Sequence, residues 1–407
     1  MDRSKLLVGA CYLTDNLHDD QHVKEVAEAG IDFLFAVKAQ KTVLDLCKKY
    51  QIGVIADSNL PLWWGGDGKN AGQYGGTVPP EKLDVIKQSY RFHPALWGDY
   101  LVDEPNVKDF ASIAANIKRY HALFPGQLVS VMLYPIYANT APLGITPELQ
   151  QVPSQLGTTT YQEYISQYVK TIGTDYISFD SYPFTGPFAS YLENLDLVGT
   201  ACRESGRDMW VIIQAGAWKA DALLGEYQIR WQAYLCLAYG AKIIIHATYS
   251  PGWWDGTTSC VNAAGEKNVT YGYVKNVNAE LHALSGLFMQ YDSLGVYPCG
   301  NLSGASQSMA PQLAAQAARN GARATPAERN LLAGIKVDGA AIAGCFKRKD
   351  GGGYAVMLVN AQDPWNAAAS VTVSMKAPGV AYVKGIKTPL GSGLKLASGE
   401  GVFITMD

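Results

Sequence analysis

From residue 6 to about residue 290, the sequence repeats one pattern eight times: a short apolar run followed by an amphipathic stretch. The apolar runs predict strands at 6–13, 31–37, 52–57, 95–102, 128–134, 176–179, 209–214 and 243–248. The intervening stretches predict helices at 21–27, 42–50, from 80 onward, and at 107–123, 161–172, 188–204, 226–239 and 274–291. Nearly continuous apolar strands are typical of a parallel sheet buried on both faces. Eight repeats favour a closed (β/α)₈ TIM barrel over an open doubly wound sheet, and no GxGxxG motif follows the first strand.

The pattern changes after about residue 292. Residues 303–330 are rich in Ala, Gln, Ser and Gly, which indicates either a short helix or a loose loop. Alternating runs then predict short strands at 340–347, 354–360, 369–375, 380–386 and 401–406. We therefore expect an α/β chain with a barrel at residues 1–291, then a linker and a small all-β sandwich at 292–407. The sandwich carries no evident catalytic cluster and only one tryptophan, so we expect it to pack against the barrel.

Composition excludes several classes of function. The 407 residues carry a formal net charge of −3 without a basic run, so we expect no nucleic-acid partner. No apolar stretch approaches the roughly 18 to 20 residues that span a bilayer, so we expect no membrane partner. The N-terminus shows no signal peptide, and the seven scattered cysteines lack a CxxC pair. Both features favour free thiols and a cytoplasmic location. Nothing in the sequence indicates an oligomeric state.

Active sites of such barrels lie at the carboxyl ends of the strands. The predicted strands place a set of polar and aromatic side chains there: Tyr12, Asp15, Asp57, Trp63, Trp64, Asp67, Asp103, Glu104, Tyr134, Asp180, Tyr182, Gln214, Trp218, His246, Tyr249, Trp253 and Trp254. Two adjacent tryptophans cannot both face one core. The two tryptophan pairs are therefore expected either to plug the barrel mouth or to stack on sugar rings. With one histidine at a strand end and no HxH after the first strand, we expect neither a metal nor a cofactor.

The adjacent acids Asp103 and Glu104 carry the clearest chemical signal. Neighbouring carboxylates repel each other, which raises the pKa of at least one. A carboxylic acid that stays protonated near neutral pH can protonate a leaving group. Helix capping would explain one acid before Pro105, but not two acids and further carboxylates on neighbouring strands. We therefore predict Glu104 as a general acid, with Asp180 or Asp103 as the second carboxylate.

Two assignments have structural alternatives. Asp180 could instead hydrogen-bond the loop backbone before Pro183. His246 follows three isoleucines, and it is either a core histidine held by a neighbour or a substrate contact.

Several segments resemble barrel glycoside hydrolases of the broad clan-A type, including bacterial relatives. They are residues 97–106 around the acidic pair, 177–183 around Asp180, 210–214, and 273–281 in the last helix. The segments 344–347, 356–360 and 399–402 resemble the β-sandwich that often follows such barrels. The resemblance implies hydrolysis of an O-glycosidic bond in a glycoside or oligosaccharide, with Glu104 as the acid. From their places at the strand ends, we expect a further set of residues to contact substrate: Tyr12, Asp57, Trp63, Trp64, Tyr134, Tyr182, Gln214, Trp218, His246, Tyr249, Trp253 and Trp254.

One position departs from that family. Its members carry a glutamate nucleophile at the end of the seventh strand, where this chain has Gln214. Three mechanisms remain, in the order that the residues favour them. Asp180 replaces the nucleophile or acts as a base, with a carboxyl separation of about 5–5.5 Å for retention or roughly 6.5–9.5 Å for inversion. Alternatively, Asp103 and Glu104 act as in substrate-assisted hexosaminidases, with Tyr182 hydrogen-bonded to the intermediate. In the third, the barrel binds glycans without catalysis.

Overall fold

Eight parallel strands close into the barrel that the sequence predicts. The computed structural model describes residues 1–57, 63–86, 90–139, 155–186, 188–306, 308–376, 378–390 and 393–406. The strands are β1 (Leu7–Cys11), β2 (Phe33–Lys38), β3 (Gly53–Asp57), β4 (Leu96–Asp103), β5 (Leu128–Leu133), β6 (Tyr176–Ser181), β7 (Asp208–Gln214) and β8 (Ala241–Ala247). Each strand pairs with the next, and β8 pairs in parallel with β1 to close the ring.

Helices surround the strands in the order that the repeats predict. They are α1 (Asp20–Glu28), α2 (Lys41–Lys49), α3 (Tyr74–Thr77), α4 (Phe110–Leu123), α5 (Tyr161–Thr171), α6 (Tyr191–Ser205), α7 (Glu226–Ala238) and α8 (Val269–Phe288). Local sequence fixes several ends: the Asp19 and Thr160 side chains cap α1 and α5, and Gly206 ends α6 at φ 68°. The helix predicted from residue 80 is a 3₁₀ helix at Pro80–Ile86. Part of the predicted loop after β5, residues 140–154, lies outside the described residues.

The amino-terminal half of the barrel interior is filled by aromatic rings. Tyr176 stacks on Trp210 with ring centroids 3.8 Å apart, and Phe33 lies 5.6 Å from Trp97. A Cβ at Gly53 would lie 2.1 Å from the Trp97 ring, so only glycine leaves room for that ring. These rings fill that half of the interior, and a cavity remains at the carboxyl ends of the strands.

Two antiparallel sheets form the second domain. Its strands are β9 (Tyr291–Gly300), β10 (Ile335–Asp338), β11 (Ala340–Arg348), β12 (Tyr354–Asn360), β13 (Ser370–Met375), β14 (Val380–Val383), β15 (Ile386–Thr388), β16 (Leu394–Ala397) and β17 (Gly401–Met406). The six-stranded sheet has the order β9-β11-β12-β17-β14-β15, and β10-β13-β16 form the other. Val356 and Leu358 of one sheet share a buried cluster with Val371, Val373 and Leu396 of the other. This arrangement agrees with the predicted sandwich.

The segment before the predicted strands differs from the sequence-based expectation. Residues 292–300 continue β9, which pairs with β11, where the sequence indicated a linker. The segment that begins at residue 303, for which the sequence indicated a short helix or a loose loop, contains two helices. They are α9 (Ala310–Arg323) and α10 (Pro326–Ala333). Thr325 and Glu328 form a capping box with Pro326 at the first turn of α10, a signal that the composition of the segment concealed.

The second domain packs on α7 through close backbone contacts. A Cβ at Gly344 would lie 2.1 Å from the Ala238 carbonyl oxygen, and one at Gly399 would lie 2.0 Å from that of Tyr227. These glycines therefore let the sheet approach the helix directly.

The seven cysteines are unpaired, and all but Cys299 are buried. Within the described ranges, no helix combines the length and apolar character required to cross a bilayer.

Candidate active site

A cavity of about 460 Å³ opens at the carboxyl ends of the barrel strands. Its lining consists of Cys11, Tyr12, Phe35, Ala36, Trp64, Asp67, Tyr100, Asp103, Glu104, Met132, Tyr137, Asp180, Tyr182, Ile212, Trp218 and Trp253. The fold therefore brings the three predicted catalytic carboxyl groups together with five predicted substrate contacts. Four carboxyl groups line this cavity, and none of the described lining residues is a lysine, arginine or histidine.

Backbone pairing fixes Glu104 at the cavity. It follows β4, donates its backbone N–H to the Met132 carbonyl at 2.8 Å, and adopts φ 50°. The loop after β3 returns as the two-residue segment Trp63–Trp64, which pairs in parallel with Val102 and Asp103. This pairing lets the Trp64 indole N–H donate to Glu104 Oε2 at 2.9 Å.

Helix capping does not account for the acidic pair. The first turn after β4 is capped instead by Asn106, whose side chain accepts from the Lys108 N–H at 3.0 Å. Asp103 and Glu104 are therefore free to face the cavity.

The carboxyl groups differ in their affinity for protons. Burial raises the pKa of Glu104 well above its usual value, and the negative charges of Asp103 and Asp180 raise it further. Burial and the charge of Asp103 raise the pKa of Asp180 to about 7. Burial raises the pKa of Asp103 to about 6, with the Tyr100 hydroxyl opposing that rise. Burial and neighbouring negative charge therefore favour the protonated form of Glu104, whereas Asp103, with a pKa of about 6, loses its proton more readily.

Asp180 presents an oxygen without a hydrogen-bond partner. Its Oδ1 is buried and unpartnered within the described residues. The loop that follows is held by other groups, since the Phe184 N–H donates to Gln214 Oε1 at 3.0 Å and the Gly186 N–H donates to the Tyr182 carbonyl at 2.9 Å. Asp180 is therefore available to a ligand, a water molecule or a reacting atom in the cavity.

Unfavourable backbone conformations concentrate at the same place. Six described non-glycine residues have positive φ, and four of them line the cavity: Tyr12 (66°), Ala36 (57°), Asp67 (53°) and Glu104 (50°). Such conformations cost on the order of 1–3 kcal/mol each and persist where the surrounding structure enforces them. This concentration independently favours the barrel mouth as the candidate functional site.

Six predicted substrate contacts lie behind the cavity wall. They are Trp63, Tyr134, Gln214, His246, Tyr249 and Trp254, all of which are buried and absent from the cavity lining. In this structure they support neighbouring segments, and direct substrate contact would require them to move.

Hydrogen bonds explain why Gln214 and His246 are held in the interior. The Gln214 side chain accepts from the Phe184 N–H and donates to the Gly216 carbonyl at 2.9 Å. His246 Nε2 lies 2.7 Å from Asn278 Oδ1, and burial lowers the pKa of the imidazole to about 4. His246 is therefore a neutral core residue in this arrangement.

Asp57 and Asp15 lie in an adjoining groove. The groove shares Tyr12, Ala36 and Trp253 with the main cavity. Its only described lysine, Lys38, pairs with Asp15 at 3.2 Å. Asp57 is thus placed beside the candidate site, not at its centre.

Tyr100 and Tyr137 line the cavity, although the sequence did not predict them as site residues. Tyr100 lies inside β4, where the register with β5 shifts between Tyr100 and Val102, so simple alternation does not place its ring. Tyr137 follows β5, and its aromatic side chain in a strand–helix loop was the only signal available.

No protein-family model and no curated protein sequence matches this chain. Solved structures resemble it along its whole length. A glycoside hydrolase is 12% identical with a TM-score of 0.54, covering 99% of this chain and 92% of that protein. A cold-adapted β-galactosidase from Rahnella sp. R3 is 11% identical with a TM-score of 0.53, covering 99% and 98%. A family 5 glycoside hydrolase from Bacteroides vulgatus ATCC 8482 is 9% identical with a TM-score of 0.53, covering 99% and 89%.

These similarities define the class of fold. The chain has the TIM-barrel fold of glycoside hydrolases, followed by an antiparallel β-domain. At this level of identity the resemblance extends to the fold and does not identify the catalytic residues. In the described part of the chain, no cluster of three or more His, Cys, Asp or Glu side chains could hold a metal ion.

Gly65 allows the tryptophan segment to approach Glu104. Its N–H donates to the Asp103 carbonyl at 2.9 Å, and a Cβ would lie 1.9 Å from the Glu104 carbonyl oxygen. We expect Gly65→Ala to displace this contact, to lower the free energy of unfolding by about 1–3 kcal/mol and to impair the site. Chemical denaturation and ligand titration measure both effects. Gly76→Ala is the matched control because, outside its own helix, no atom of the described residues lies within 4 Å of its Cβ position. Equal stability and binding of the two variants would contradict the prediction.

Proposed function

We propose that this protein is a glycoside hydrolase in which Glu104 is the general acid. The observation that carries the proposal is the placement of the Glu104 carboxyl beside Asp103 and Asp180 in one aromatic-walled cavity. The raised pKa favours the protonated form of Glu104, which a general acid needs. That proton can pass to a glycosidic oxygen as the bond from this oxygen to the anomeric carbon breaks.

We propose Asp180 as the second carboxylate. Its unpartnered Oδ1 and its pKa near 7 suit a group that works in ionised form close to neutral pH. It would either attack the anomeric carbon or take a proton from the water that attacks it. In the first case, water then hydrolyses the glycosyl–aspartate ester, with Glu104 acting as the base. Asp103 would keep the pKa values of its neighbours high.

The lining favours an uncharged sugar. Trp64, Trp218 and Trp253 offer aromatic surface, and Trp64 and Trp218 are 46% and 58% exposed. Apolar C–H faces of a sugar ring can stack there, and carboxyl oxygens can accept hydrogen bonds from its hydroxyl groups. With four carboxyl groups and no described cation in the lining, a uronate or sulfated sugar would be repelled.

A panel of aryl glycosides tests the function. We expect hydrolysis of a neutral aryl glycoside, with a rate that increases with pH through about 6–7 as the aspartates ionise. The rate should fall again at higher pH, where Glu104 loses its proton. Hydrolysis of N-acetylhexosaminides alone would favour the substrate-assisted use of Asp103 and Glu104. Saturable sugar binding without hydrolysis of any glycoside would favour a glycan-binding barrel and overturn the proposal.

Two substitutions at Trp64 distinguish sugar stacking from the hydrogen bond that this residue donates to Glu104. We expect Trp64→Ala to raise KM roughly tenfold and to change kcat much less, because an exposed aromatic face is lost. Trp64→Phe keeps a ring but removes the N–H that donates to Glu104, so it should largely restore KM. Steady-state kinetics of both variants measure the difference. An unchanged KM in Trp64→Ala would rule out a stacking role.

A further inference from the structure

A second polar cavity lies at the opposite end of the barrel from the candidate active site. It encloses about 410 Å³ between the end of α6, the first residues of β7 and β8, and β9 of the second domain. Asp208 and Lys242 begin strands whose other ends face the active-site cavity. The proposed glycosidase chemistry makes no use of this cavity.

Three cationic side chains line the cavity without a carboxylate partner. Within the described residues, Arg203, Arg207 and Lys242 form no ion pair. Arg203 Nη2 donates to Thr200 Oγ1 at 2.8 Å, Arg207 Nη2 donates to the Val169 carbonyl at 2.9 Å, and Lys242 Nζ donates to the Tyr291 carbonyl at 3.1 Å. Nη1 of both arginines is buried without a hydrogen-bond partner. Buried donors without hydrogen-bond partners destabilise a folded protein. An anion that accepts these hydrogen bonds would therefore stabilise the cluster.

Two acids, Asp208 and Asp292, also line the cavity, and both are paired with other cations. Asp208 accepts from Arg3 at 2.6 Å, and Asp292 lies 3.8 Å from the Lys349 ammonium group. These contacts leave the three cations in excess. Burial lowers the pKa of Lys242 to about 8, and the positive charge of Lys349 lowers it further against the opposing charges of Asp292 and Asp208.

Asp196 does not supply the missing counter-ion either. This acid lies on the same helix as Arg203, and it accepts from Arg319 at 2.6 Å and from Asn320 at 2.8 Å.

Small residues keep the space in front of these donors open. A Cβ at Gly199 would lie 3.4 Å from Arg203 Nη1, which places that donor at the cavity wall. A Cβ at Gly240 would lie 2.8 Å from the Ser293 Cβ. The Ser293 hydroxyl also lines the cavity and is buried without a partner. Two guanidinium groups, an ammonium group and a hydroxyl thus surround one open volume, together with the two acids that are paired with Arg3 and Lys349.

We propose that this cavity binds a tetrahedral oxyanion of the phosphate class, either free or as the phosphate group of a small ester. Guanidinium groups donate paired N–H bonds that match phosphate oxygens, and the ammonium adds a point charge. The bound anion would join α6, β7 and β8 of the barrel to β9 of the second domain. It would therefore stabilise the folded protein at their junction.

Titration of the full chain with inorganic phosphate tests this site. At constant ionic strength, we expect a saturable heat signal in calorimetry and a Tm that rises with phosphate concentration. Arg203→Gln and Lys242→Gln should each weaken binding about tenfold or more, since each removes a charge-assisted contact. Arg203→Lys should keep part of the affinity. Arg119→Gln, an exposed arginine on α4, is the matched control and should bind like the wild type.

Two results would contradict the proposed phosphate site. One is a wild-type response to phosphate no larger than that to sodium chloride at equal ionic strength. Another is equal binding by the wild type and all variants. If Arg203→Gln fails to fold by circular dichroism, the wild-type and Lys242→Gln titrations still decide the question.

Glucose 6-phosphate distinguishes the two sources of the anion. Tighter binding of this ester than of inorganic phosphate assigns the site to a phosphorylated metabolite, and the reverse assigns it to free phosphate. No binding of either probe contradicts the proposal. Since these measurements do not depend on turnover, their failure is separable from failure of the proposed hydrolase activity.

Discussion

Glu104→Gln is expected to lower kcat/KM by about 10²–10⁴-fold for substrates with poor leaving groups, because it removes the proton that the departing oxygen needs. The amide keeps the size of the side chain and can still accept the Trp64 N–H. Substrate dissociation constants should therefore change little. Steady-state kinetics together with direct binding to the inactive variant measure the two effects separately.

A series of aryl leaving groups makes the test specific for acid catalysis. The defect in Glu104→Gln should shrink as the leaving group becomes a weaker base, because such a group departs without protonation. The alkaline limb of the pH profile should also disappear, since the amide has no acidic proton to lose. Asp67→Asn is the control because it neutralises another carboxyl group in the same cavity. A defect independent of the leaving group would show that Glu104 is not the acid.

We expect Asp180→Asn to lower the catalytic activity and to raise the stability of the protein above pH 7. Loss of the second carboxylate should lower kcat/KM by a factor on the order of 10²–10⁴. In the folded protein, the pKa of Asp180 is raised from 3.8 to about 7. Its contribution to stability is therefore fully present below about pH 4 and is lost as the pH rises to about 7. The variant cannot ionise at this position, so above pH 7 its free energy of unfolding should be higher than that of the wild type.

Unfolding measurements at two pH values test the stability change. At pH 8, we expect Asp180→Asn to raise the free energy of unfolding by about 1–2 kcal/mol, a value reduced for the solvent contact of this side chain. At pH 4, the two proteins should be equally stable. Asp103→Asn serves as the comparison. If Asp103→Asn abolishes turnover while Asp180→Asn retains it, the second carboxylate is Asp103.

Local sequence pattern predicted the architecture because each element carries its own signal. The apolar runs and amphipathic stretches predicted all eight barrel strands, most of them within two residues of the observed ends. Adjacent tryptophans also behaved as their alternation required. Trp63 is 4% exposed while Trp64 is 46% exposed, and Trp253 lines the cavity while Trp254 is buried.

Side-chain direction at the strand ends was harder to predict. Gln214 and His246 lie at the carboxyl ends of apolar strands, as the candidate catalytic aspartates do. Both are nevertheless held inside by hydrogen bonds to segments distant in sequence. Register shifts add to this difficulty, since a one-residue shift exchanges the two faces of a strand. The sequence could therefore nominate residues at the mouth of the barrel without deciding which of them face the cavity.

The site around Glu104 depends both on local sequence pattern and on tertiary structure. The sequence by itself determined the barrel and placed an acidic pair at the end of the fourth strand, because periodicity is a local property of the chain. Only the tertiary structure brought Asp180 and Trp64 to that pair, and left Arg203, Arg207 and Lys242 without ion-pair partners among the described residues at the other end. The pKa values and binding preferences of these groups depend on burial and on distances between side chains far apart in sequence.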